Sequence, residues 1–201
     1  MWKGELDGVI YLDSLSENPN LYGVGPLEFL SGEITILNGQ TYVSKVTSDT
    51  TMTVERTKEA RAPFLVYATE PLGKKVELPH RVSDINTIEA FIDSIAAKRK
   101  EPFPFRIEAE VESAQIHVQN LPAGAKVSSP KEAHQGQTPY SLANRKVDIV
   151  GFFSRNHKGV FTHHDTFLHM HLITAEKTEM GHLDKIKLRA GTAVLYLPVE
   201  I

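Results

Sequence analysis

The chain has 201 residues, 41% hydrophobic and 23% charged, which suits a soluble globular protein large enough for a real core. Its 22 Lys and Arg against 25 Asp and Glu leave a net charge of −3 with no basic block, making nucleic acid and anionic membrane poor partners. Cysteine is absent, so a disulfide scaffold and thiol chemistry are both excluded. No apolar run approaches the roughly 18 residues a membrane span needs, and Met1 to Glu5 lacks a signal peptide's apolar stretch. A soluble cytoplasmic protein is the expectation.

In chain order, Val9-Ile10-Tyr11-Leu12 is a short apolar run and Ser14 to Asn20 reads as a loop. Leu21 to Leu27 follows, with Gly23 and Gly25 inside it. The clearest hairpin joins Glu33 to Leu37 and Gln40 to Val43 through Asn38-Gly39, since both turn residues need positive φ. Ala62 to Thr69 is another apolar run.

One helix is predicted over about Ile85 to Arg99. Ile85, Ile88, Ile92 and Ile95 share a face with Phe91 and Ala96, and Ser83 or Asp84 can cap the start. Lys98, Arg99 and Lys100 suit the negative end of the helix dipole, so this basic run reads as capping charge.

Beyond Pro102 the pattern turns to strands. Phe105, Ile107, Ala109 and Val111 alternate with Arg106, Glu108, Glu110 and Glu112, the mark of a strand with one wet face. Gln115 to Leu121 reads as a neighbouring strand, and Pro122 to Pro139 as a long polar loop. Strands are expected again at Val147–Phe153, Thr166–Ile173, His182–Leu188 and Thr192–Val199. The implied fold class is α+β: two mostly antiparallel or mixed β-sheet halves with one main helix. Residues 1–101 form the N-terminal mixed half with the helix, and 102–201 the C-terminal antiparallel half; the two can also pack as one compact unit.

The chemistry concentrates in the C-terminal half. In Phe167 to Ile173, His169 and His171 lie two apart on a strand and so point to one side. The polar segment Thr174 to Met180 reads as a turn; a hairpin folded about Glu176-Lys177 sets His171 opposite His182. Three imidazoles converging with a fourth position open make the usual catalytic zinc arrangement, although imidazole also suits other divalent metals. The plainer alternative is a coincidence among nine histidines. A same-face pair with a register-matched third favours the metal site, placed on this hairpin. His163-His164 and His157 read as loop or turn residues. His117 falls on the polar face of its strand, and no role follows for it, His80 or His134.

Taken together, Leu21-Tyr22-Gly23-Val24-Gly25, Leu30-Ser31-Gly32-Glu33-Ile34 with Leu37-Asn38-Gly39, Thr138-Pro139-Tyr140, Val150-Gly151-Phe152 and His169-Met170-His171…Gly181-His182-Leu183-Asp184 resemble the α-acetolactate decarboxylases in order and spacing. The resemblance runs from about Gly8 to Leu188, and the H-x-H…G-H part is its most specific piece. It implies a carboxy-lyase of acetoin biosynthesis and the butanediol pathway. The reaction would convert 2-acetolactate, or a similar 2-hydroxy-3-oxo acid, to acetoin and carbon dioxide. It implies Zn2+, or another divalent metal, on His169, His171 and His182, no organic cofactor, and a homodimer.

Glu33, taken alone an exposed strand-end acid, becomes by the same resemblance the carboxylate that reaches into the zinc site. The family carries an arginine shortly before its Pro-Tyr element, suited to clamp the substrate carboxylate. Here Ala125 to Glu132 holds none, and Lys126 or Lys131 is expected to stand in, with Lys131 the candidate catalytic residue. No counterpart of the family's C-terminal active-site glutamate is expected at Leu197 to Ile201. These departures motivate a second reading, a non-catalytic or sensory metal-binding relative of the plant-and-prokaryote conserved domain type. A cupin, suggested by His169-x-His171-x4-Glu176, ranks last because its glycine spacing fails.

Overall fold

The computed structural model describes residues 6–125, 127, 132, 134–158, 162 and 166–201. Along it run β1 (Ile10–Tyr11), β2 (Leu21–Pro26), β3 (Glu33–Leu37), β4 (Gln40–Ser48), β5 (Thr51–Arg56), β6 (Arg61–Ala62), β7 (Val66–Thr69), β8 (Lys74–Glu77), α1 (Ile85–Ile95), β9 (Phe103–Gln119), β10 (Gln137–Phe153), β11 (Leu168–Thr174), β12 (Met180–Leu188) and β13 (Val194–Leu197). Among the described residues the arrangement is mostly antiparallel β with α1 as the one named α-helix, as the α+β reading expects.

Five strands form one antiparallel sheet in the order β5-β4-β3-β2-β7. Its β3–β4 turn is the predicted one: Asn38 and Gly39 take φ of 51° and 76°. Because side chains alternate, Ile34 and Ile36 go to one face, while Glu33, Thr35 and Leu37 go to the other. The first face packs with Leu12, Leu21 and Val43. The second turns toward the C-terminal strands.

A six-stranded sheet runs β10-β11-β12-β9-β13-β8, with β10 pairing β9 as well, and β1 and β6 make a separate two-stranded antiparallel sheet. The pairings β10–β11, β11–β12, β12–β9 and β9–β10 therefore close a circuit of four strands. The circuit's inward positions, among them Phe105, Ile107, Ile116, Ile149, Met170 and Leu172, make the main core together with Ile88 and Ile92 of α1. Where the outer face meets the five-stranded sheet, Tyr22, Val24, Leu37 and Tyr42 pack on Val150, Phe152, Ile173 and Met180.

Three expectations need correction. The segments 105–111 and 115–121 belong to one strand, since β9 is continuous over 17 residues with no Gly or Pro to break its middle. β10 likewise begins at Gln137, earlier than expected; Pro139 is accommodated there because that half of β10 pairs on one side only, with β9. Helix α1 ends at Ile95, before the basic run. Carbonyls at its end and just beyond are taken by Arg155, whose guanidinium donates to the backbone oxygens of Asp93 (3.0 Å), the C-cap Ala96 (3.2 Å) and Arg99 (2.8 Å). Arg99 itself pairs with Glu70 at 2.8 Å. At the other end, Asp84 and Thr87 form a reciprocal capping box.

Candidate metal centre

The site grows from one row of residues on the outer face of the closed circuit. In the register of β11 and β12, His171 sits opposite His182. β12 in turn sets His182 opposite His117 of β9. His169, two residues before His171, points to the same side, so the alternation and the hairpin register act as the sequence indicates. One ligand nitrogen from each of His169, His171 and His182 falls in a group whose members all lie within 4.8 Å of one another. His171 is fully buried and His182 nearly so.

These residues fit a divalent cation. Three nitrogens bound tetrahedrally at zinc distances stand about 3.4 Å apart, and the present ones all lie within 4.8 Å of one another. The donor set is imidazole, and His171 already carries the outer hydrogen bond such ligands need. Its Nδ1 lies 3.1 Å from Thr35 Oγ1, which turns its Nε2 toward the centre.

Glu33 is not the exposed acid that its place at the start of β3 implies on its own; it is 3% exposed. Strand β3 aims it across the sheet–sheet interface, where Oε2 is 3.7 Å from His171 Nε2 and Oε1 accepts the Gln119 backbone N–H at 3.2 Å. Burial pushes the Glu33 carboxyl well above the usual carboxylate range; the Gln119 N–H opposes this, and the charge of Asp184 adds to it.

His117 is the residue that sequence reasoning missed. It is buried, its ring stacks on His182 with centroids 4.7 Å apart, and Nδ1 lies 2.8 Å from Asp184 Oδ1. The polar alternation of Gln115, His117 and Gln119 showed that this face is not core. Nothing local showed that β12 lies beside it. His157 bonds Ser154 Oγ through Nδ1 at 2.7 Å and is not one of the three grouped histidines. Lys126, Lys131, His163 and His164 lie outside the described residues.

Two packed antiparallel sheets, with three imidazoles and a buried carboxyl meeting between them, define a β-rich protein whose site lies at a sheet–sheet interface. The sequence profile of the alpha-acetolactate decarboxylase family matches residues 1–197, and the chain belongs to that family, one of carboxy-lyases. The α-acetolactate decarboxylase of Lactococcus lactis subsp. cremoris is 25% identical over 193 residues, covering 94% of this chain and 76% of that protein. The crystal structure of α-acetolactate decarboxylase from Bacillus subtilis strain 168 superposes with a TM-score of 0.79 at 20% identity, covering 98% of this chain and 81% of that one. A Staphylococcus aureus protein, described as of unknown function and similar to α-acetolactate decarboxylase, gives 0.80 at 17% identity over 98% and 80%. The two structures establish the shared fold.

Proposed function

We propose that this chain is a zinc-dependent decarboxylase acting on 2-acetolactate or a closely similar 2-hydroxy-3-oxo acid, with acetoin and carbon dioxide as products. The observation that carries the reading is the convergence of His169, His171 and His182 with Glu33 beside them, in a member of a carboxy-lyase family.

His169, His171 and His182 would hold the cation, with Thr35 orienting the ring of His171. A cation held there supplies Lewis acidity for the negative charge that develops on the substrate's adjacent oxygens as the carboxylate carbon departs. Glu33 does the proton chemistry. Its position next to His171 puts a carboxyl proton within reach of a substrate in the site. Loss of carbon dioxide leaves an electron pair that takes up one proton, delivered by Glu33 and replaced from solvent. The Gln119 backbone N–H steadies the carboxyl in both states. Apolar packing of Tyr22, Val24, Ile173 and Met180 beside the site limits access of water.

The test is acetoin formation from racemic acetolactate by zinc-loaded protein, with metal content measured in the same sample. About one zinc per chain and acetoin in step with carbon dioxide are expected. Intact, metal-loaded protein that forms no acetoin would overturn the assignment.

A further inference from the structure

The His117–Asp184 pair lies outside the three-histidine cluster, yet it is built onto it. His117 is 7% exposed, and its ring stacks on His182 at an interplanar angle of 28°. Both ring nitrogens are engaged. Nδ1 meets the two Asp184 carboxylate oxygens at 2.8 and 2.9 Å, and Nε2 meets the amide nitrogen of Gln137 at 3.1 Å. A carboxylate only accepts and an amide nitrogen only donates. Nδ1 therefore carries a hydrogen toward the carboxylate, and Nε2 is engaged by the Gln137 amide. With both positions occupied, His117 has no nitrogen left for a ligand or substrate. It has a face, and that face lies against His182.

We propose that His117 is a positioning residue for the metal centre. Asp184 and Gln137 pin its ring from two sides, and the pinned ring sets the orientation of His182 by stacking. The local sequence supports this arrangement. Asp184 follows His182 by two residues on β12, and a bulge between Leu183 and Lys185 lets it reach back to His117. Gly181, just before His182, allows the two strands their close approach, since a Cβ there would stand 2.4 Å from the His117 carbonyl oxygen. The chain thus brings β9 against the ligand strand and then fixes the intervening ring through its own nitrogens. Hydrogen-bonded outer partners of metal ligands change affinity by roughly 10- to 100-fold, and a pinned ring that fixes a ligand's orientation by stacking is taken to act on the same scale.

The inference rests on the reading of His169, His171 and His182 as metal ligands, and the experiment separates the two. Zinc affinity is measured on the full chain by competition with a chromophoric chelator. Visible absorption of the cobalt-saturated protein reports ligand geometry at full occupancy. His117→Ala and Asp184→Ala are each expected to weaken zinc binding by roughly 10- to 100-fold and to change the cobalt spectrum. Asp184→Asn retains an oxygen to accept the Nδ1 hydrogen and is expected to stay within about threefold of wild type. The double variant His117→Ala/Asp184→Ala is expected to be no weaker than His117→Ala alone, because Asp184 acts through His117.

Asp184 is partly exposed, so its replacement reports even where the buried His117→Ala folds poorly. Wild-type affinity in Asp184→Ala, equal losses in Asp184→Asn and Asp184→Ala, or additive losses in the double variant would each overturn the proposal. Wild-type protein that binds neither zinc nor cobalt would sink the ligand assignment and this inference with it.

Discussion

Thr35 Oγ1 lies 3.1 Å from Nδ1 of His171, a buried contact between side chains 136 residues apart that ties the five-stranded sheet to β11. With Nδ1 hydrogen-bonded to Thr35, the ring can offer only Nε2 to the centre. Thr35→Val keeps the shape and removes the hydroxyl. Zinc affinity is expected to fall roughly 10- to 100-fold, while Thr35→Ser stays close to wild type. Chelator competition checks this, and equal affinities for Val and Thr would contradict it.

Glu33→Gln separates the proton donor from the ligand set. If Glu33 supplies the proton and three histidines hold the metal, the variant keeps about one zinc per chain while kcat drops roughly 10²- to 10⁴-fold. Metal analysis and an acetoin assay on one preparation decide it. Loss of zinc in the variant would show Glu33 to be a ligand instead.

What could be read from the sequence follows contact range. The β11–β12 hairpin is local: alternation placed Leu168 and Met170 opposite His169 and His171, and the polar turn gave the register that brings His171 to His182. The Asn38-Gly39 hairpin and the cap of α1 were readable for the same reason. Contacts between distant segments were not. His117 reaches Asp184 across 67 residues, and Glu33 was expected to be exposed because nothing near it in sequence reveals the strands that cover it. Strands β5 and β8 were missed as well. They lie at sheet edges and are rich in Thr, Lys and Glu, so their weak alternation resembles loop. The family resemblance, rather than periodicity, is what drew attention to Glu33.

Gly181→Ala tests the close approach of β12 to β9. The added Cβ would stand 2.4 Å from the His117 carbonyl oxygen and 3.3 Å from Val118 Cγ2, and a backbone oxygen cannot swing aside. The strands must separate, at a cost of about 1–3 kcal/mol, which for a chain of this size lowers Tm by roughly 2–12 °C. His182 moves with the strand, so zinc affinity should fall too. Thermal unfolding with and without zinc measures both, and an unchanged Tm would show that the pair of strands has slack.

Asp84 at the start of α1 gives a pH-dependent contribution with a definite sign. The backbone N–H of Thr87 donates to Asp84 Oδ1 at 2.9 Å, and this bond is the main cause holding the Asp84 carboxyl below its ordinary range. A carboxyl lowered in the folded state stabilises the protein above its unfolded pKa of about 3.9, and the contribution fades as pH falls through the folded value. Asp84→Ala is therefore expected to cost about 1 kcal/mol near neutral pH and less below pH ~4. Asp84→Asn keeps an acceptor for the Thr87 N–H without the titration, so it should lie near wild type in acid and fall behind it at neutral pH. Urea unfolding of the three proteins at neutral and acidic pH resolves the differences. An Asp84→Ala deficit that grew on acidification would reverse the sign and show that the carboxylate is not what caps the helix.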